Sequence, residues 1–111
     1  MLIANRVLTF RSQTGDLKIP IGIHAPEQGG KGSWFCRYEI GWPDKKSELS
    51  VGGFDSTQAL FAALQIIGAE IYASNYHKSG NLFWEAPGNG YGFPVASGVR
   101  HFLEGDDAKY L

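Results

Sequence analysis

Glu70, Ser74 and His77 follow one another at steps of four and three in a segment with helical periodicity, so a carboxylate, a hydroxyl and an imidazole share one side of it. These are the ingredients of nucleophilic catalysis, in which a base takes the hydroxyl proton and an acid orients the base. The same spacing arises by coincidence on any amphipathic helix, and a histidine near a helix C-terminus has a plainer role beside the negative end of the dipole. The three residues therefore form an alternative polar site, and no catalytic residue is assigned.

Other motifs point to less. In GGKGS, Gly29 to Ser33, a glycine separates the lysine from the serine and a strand follows, whereas a phosphate loop needs G-K-[ST] opening a helix. The run GNGYG, Gly88 to Gly92, departs from the dinucleotide pattern and has no βαβ unit around it. One cysteine and three scattered histidines, His24, His77 and His101, offer no metal-ligand spacing. Cys36 alternates with Trp34 and Tyr38 and reads as a small buried apolar residue. No metal and no cofactor are implied.

The richest stretch is NLFWEAPGNGYGFPV, Asn81 to Val95. Trp84, Tyr91 and Phe93 offer large contact area at modest entropy cost, as interface anchors do. Glu85 and Asn89 would stand at the rim of a groove. These five residues are the expected binding segment. The competing reading, which the sequence favours, makes the three rings a cover for the neighbouring helix.

Composition bounds the rest. At 111 residues with 14% aromatics and 19% charged residues, the chain can bury one core without disulfide or metal support and reads as a single domain, residues 1–111. A net charge of −1 with no basic stripe argues against nucleic acid. A lone cysteine, no signal-peptide pattern and no long apolar run point to a cytoplasmic protein with no membrane partner.

The elements that must position these residues follow from periodicity. Leu17, Ile19, Ile21 and Ile23 alternate with polar or small residues, so Leu17–Ile23 is a half-buried strand, with Pro20 placing it at an edge or a bulge. Ile3–Arg11 would complete an N-terminal hairpin. Trp34, Cys36, Tyr38 and Ile40 define another strand, and Glu48–Gly53 returns after a turn at Pro43. From Ser56 to His77 the period becomes helical, with Asp55 and Gln58 as a capping box, Leu60, Leu64, Ile67 and Ile71 as the apolar stripe, and Gly80 as terminator. The opposite side carries Ala62, Ala69 and Ala73, small enough for the C-terminal segment, or a second copy in a homodimer through the helix, to pack closely. A short element is expected around Val99–Leu103, and the acidic tail after it is expected to fray. The fold class is α+β, an antiparallel sheet of four or five strands with one long helix on one face.

The run from Gly52 to Gly80 together with LFWEAPGNGYGFPV resembles a family of small bacterial proteins known as a domain of unknown function, most distinctively at GYGFP. The resemblance implies a bacterial, single-domain protein and carries no site with it. Strands followed by one helix also match the plan of some toxin-neutralising immunity proteins, although those that block nucleases are more acidic. The leading expectation is a non-enzymatic module with a protein partner. The alternative is a small-ligand binder or enzyme with a pocket between the helix and the C-terminal segment, using Glu70, His77 or Glu85.

Overall fold

The computed structural model describes residues 1–111. β1 (Leu2–Ser12) and β2 (Gly15–His24) form a hairpin, β4 (Trp34–Gly41) pairs with β2, and β5 (Lys46–Gly53) returns against β4, every pair antiparallel. Two very short strands complete the sheet. β3 (Glu27–Gln28) pairs with Trp34 and Phe35 of β4, and β6 (Leu82–Phe83) pairs with Thr9 and Phe10 of β1. Because β5 occupies one edge of β4 along its whole length, β3 shares the other edge with β2 and extends its line past Ala25–Pro26.

The sheet thus has six strands, not the four or five expected. The two extra strands are two residues each, too short to show alternation. Pro20 is accommodated differently from the expectation too. β2 is interior, lying between β1 and β4, and its pairing with β4 runs only over Ile21, Gly22 and Ile23, so the missing N–H of Pro20 costs no bond there.

One face of the sheet is covered. Leu8, Ile19, Ile21, Ile23, Cys36, Tyr38 and Ile40 point inward into one core shared with α1 (Ser56–Ala73), which packs on β4 and β5, and with Tyr91, Phe93 and Val95. Asp55 caps α1 through Oδ1, which accepts from the Gln58 N–H at 2.7 Å, while Gln58 reaches back to the Phe54 N–H. Ile67 and Ile71 are fully buried, but Leu60 and Leu64 only partly so, because Ala59 and Ala63 sit deepest. The reason is close approach: a Cβ on Gly53 would lie 2.4 Å from the Ala59 nitrogen, so helix and β5 meet almost backbone to backbone.

The helix stops earlier than its pattern suggests. Ser74 is extended, with ψ 151°, and a separate turn, α2 (Asn75–Lys78), follows. The Ser74 hydroxyl donates to the Ile71 carbonyl and accepts from the His77 N–H, closing one helix and opening the next. After β6 the chain crosses α1 at Gly68, forms a 3₁₀ turn over Ser97–Phe102, and ends in α3 (Gly105–Tyr110). The acidic tail does not fray. It docks, for a reason found in the site below.

Candidate functional site

Leaving β6, the chain reverses at Trp84. The Ala86 N–H donates to the Trp84 carbonyl at 2.7 Å, closing a three-residue turn with Glu85 at its centre, at φ +63°. A side chain there strains the backbone, and such strain persists only where surrounding structure over-determines it.

Two groups do so. Arg6 lies in register with Leu8 and Phe10 on the inward face of β1, and its guanidinium stacks over the Trp84 ring at 3.9 Å and faces Phe93 at 4.9 Å. Its Nη1 donates to the carbonyls of Tyr91 and Gly92, both at 3.1 Å. From the other side comes Asp107 of α3, 2% exposed. Its carboxylate accepts from the Tyr91 N–H at 2.7 Å, the Gly92 N–H at 2.8 Å and the Tyr72 hydroxyl at 2.6 Å. Burial pulls the Arg6 guanidinium below its ordinary value, while the charges of Asp107 and Glu85 act in the opposite sense.

Glycine makes this clasp possible at one position above all. Gly90 has φ +82°, and a Cβ on it would fall 2.3 Å from the Asp107 carboxyl carbon. The segment Gly90–Pro94 is therefore ordered, held between Arg6 and Asp107.

The expected binding residues divide accordingly. Tyr91 and Phe93, at 2% and 4% exposure, are core, and follow the reading in which the rings cover the helix. Trp84 is half-buried, and Glu85 and Asn89 are exposed. These three gather with Gly92, Asp106, Asp107, Tyr110 and Leu111 around a cavity of about 230 Å³. Two exposed carboxylates, Glu85 and Asp106, and two aromatics, Trp84 and Tyr110, stand around it, while Asp107 is buried in its wall with both oxygens occupied.

The side chains of Glu70, Ser74 and His77 are not bonded to one another. Glu70 accepts from the Tyr38 hydroxyl at 2.7 Å and the Trp42 indole N–H at 2.9 Å, tying α1 to β4. Ser74 caps two helices. His77 Nδ1 lies 2.5 Å from the Tyr91 hydroxyl. The helical break at Ser74 is what separates them. A cavity of about 300 Å³ does lie between α1 and the C-terminal segment, but Ala69, Tyr72, Ala73, Val95, Val99 and Phe102 line it with Lys78, and Glu70, His77 and Glu85 are not among its walls. Ala69 and Ala73 remain exposed, and the crossing chain uses Gly68 instead. No group of three or more His, Cys, Asp or Glu is placed to hold a metal ion, and no helix is long and apolar enough to cross a membrane.

Sequence reasoning misses Arg6 and Asp107. An arginine in phase with Leu8 and Phe10 is a signal that its charge needs an inward partner. Asp107 gives no such local sign, since its partners lie 15, 16 and 35 residues away.

The buried tyrosines set a pH limit on the clasp. Burial raises the phenols of Tyr38, Tyr72 and Tyr91 well above the ordinary value of about 10, with Glu70 reinforcing Tyr38, and Asp107 reinforcing Tyr72 and Tyr91. A folded-state pKa above the unfolded one stabilises fully below pH ~10 and is lost as pH rises beyond it. Stability measured by urea unfolding is therefore expected to fall steeply above pH ~10, with much of the phenolate absorbance appearing only as the protein unfolds.

Fold and site together define a compact antiparallel α+β domain whose aromatic corner is locked from both chain ends and in which Glu70, Ser74 and His77 are each held by structural hydrogen bonds. The chain belongs to the family described as domain of unknown function DUF6968, whose model matches residues 4–95. No curated protein and no solved structure matches it.

Proposed function

We propose that this domain is a non-enzymatic protein-interaction module, and that its contact surface is the corner formed by Trp84, Glu85 and Asn89 with the adjoining face of α3. The observation that carries this reading is Glu85. An exposed acid is held at φ +63°, where glycine would be easier, on the lip of a cavity whose scaffold is fixed by Arg6 and Asp107. Preorganised aromatics with a carboxylate rim suit a lysine or arginine side chain presented by a protein partner.

The test separates function from stability. Glu85→Gly removes the strain and is expected to raise stability by about 1 kcal/mol in thermal unfolding. The same variant, and Glu85→Lys, should lose partners that the wild type captures from a native lysate. Capture should also weaken with added salt. Identical partners retained by both variants would rule out this corner. A ligand seated instead in the apolar groove beside Ala69, Ala73 and Phe102, the alternative reading, would leave binding indifferent to Glu85.

A further inference from the structure

β5 is the last strand on its side of the sheet. It pairs with β4 without a register shift from Trp34↔Gly53 to Gly41↔Lys46, and no loop donates to or accepts from its other edge. About half of its backbone N–H and C=O groups therefore point off the sheet with no protein partner. Single edges are ordinarily guarded by proline, a bulge, a covering segment or a free lysine. On the opposite side, β1 has a register irregularity between Leu2 and Ala4 and is covered by β6 at Thr9 and Phe10. β5 has none of these defences. Its only two charges are turned onto β4, Lys46 to Glu39 at 3.0 Å and Glu48 to Arg37 at 2.5 Å.

We propose that the free edge of β5 is a self-association surface, at which a second copy of this chain adds its own β5 antiparallel and continues the sheet across a two-fold axis. The side chains suit a copy of themselves. With the axis at Ser50, Leu49 of one chain stands opposite Val51 of the other, and Glu48 stands opposite Gly52, so no like charges face each other. Leu49 and Val51 pair within the chain with the inward-facing Tyr38 and Cys36 and so lie on the helix side of the sheet, where Leu49 is 48% exposed. Ile66, 40% exposed, is seven residues after Ala59, which abuts Gly53, and four before Glu70, which binds Tyr38. It therefore extends an apolar strip along the same flank. A net charge of −1 leaves little repulsion between copies. The Trp84–Asn89 corner packs on Arg6 of β1, on the side of the sheet away from β5, so this association is independent of partner binding there.

Light scattering on the full chain tests the proposal. Wild type is expected to reach twice the monomer mass as concentration rises. Leu49→Lys and Leu49→Glu should each remain monomeric at the same concentration, and mixing the two should restore the double mass, because the two position-49 side chains are diagonal neighbours about the axis and then carry opposite charges. Ser50→Glu, at an exposed position on the open face, provides a second disruption should the Leu49 variants fail to fold. Amide exchange in β5 should slow with concentration in wild type only. A wild type that stays monomeric up to its solubility limit overturns the proposal, as does a dimer that neither Leu49→Lys nor Ser50→Glu weakens. Exchange protection in β5 that appears only on adding a different protein would assign the edge to that partner and overturn the two-fold pairing.

Discussion

Gly68→Ala is expected to destabilise the protein by about 1–3 kcal/mol, although alanine is the better helix former. In an unobstructed helix interior the exchange gains about 1 kcal/mol, since glycine loses the most backbone entropy on folding. At Gly68 the helix is obstructed. A Cβ there would lie 2.2 Å from the Pro94 carbonyl oxygen and 3.1 Å from both the Pro94 carbonyl carbon and Val95 Cγ1. The first contact is with backbone, which no rotamer change can relieve, so either α1 or the Gly90–Val95 segment must move by roughly 1 Å. Overpacking of this kind costs about 1–3 kcal/mol, and here it also pulls on the hydrogen bonds that Arg6 and Asp107 make to the same segment. Gly68→Val should cost more still. The control is Ala69→Gly, one residue on and exposed, which should lose only the propensity difference of about 1 kcal/mol. Urea unfolding of the three variants measures the contrast. A stabilising Gly68→Ala would mean that the aromatic segment does not cross the helix there.

The same crossing shows how far the sequence can be read. The period-two runs identify β2 and β4, because each buries one face and alternation is the direct record of that, whereas β1 and β5 bury little and are placed by the turns that join them to these neighbours. Periodicity also announces the helix. It cannot announce the end at Ala73, since Ser74 breaks the helix through hydroxyl bonds that leave the apolar pattern intact. The order of the loop is legible in its density of glycine, proline and aromatics, but what orders it is not. Arg6 and Asp107 act from opposite ends of the chain, and long-range polar pairing leaves no mark on local spacing. For the same reason Glu70, Ser74 and His77 look in the sequence like neighbours with a shared purpose. Glu70 and His77 answer to distant partners, Tyr38 with Trp42 and Tyr91, while the Ser74 hydroxyl is spent on the two helix ends beside it. The tail misleads because Asp106 and Asp107 are adjacent and look equally solvated, while only Asp107 is buried.

Removing that buried carboxylate is expected to have the largest effect of any single change. Asp107→Ala leaves the Tyr91 and Gly92 N–H groups and the Tyr72 hydroxyl without their acceptor, and a buried donor left unpaired costs about 1–3 kcal/mol. The three penalties do not simply add, because the segment can lift away from α3 and let water in once keeping it docked becomes too costly. The net loss should be about 3–5 kcal/mol, which for a domain near 100 residues lowers Tm by well over 10 °C. Asp107→Asn keeps the shape and one acceptor oxygen but turns an amide N–H toward donors, so roughly half that loss is expected. Hydrogen exchange distinguishes a local opening from general weakening. The Tyr91 and Gly92 amides should exchange faster in both variants by a larger factor than amides of the β1–β2 hairpin, because the clasp opens before the sheet does. Asp107 lies beyond residue 95, where the family match ends, so a chain cut after Val95 should show the same fast exchange at Tyr91 and Gly92. Unchanged exchange at those two amides in Asp107→Ala would show that the corner is held by Arg6 and packing alone. It would then also remove the physical basis for treating the strained Glu85 turn as a preorganised surface, since one of the two anchors that fix the segment would be inactive.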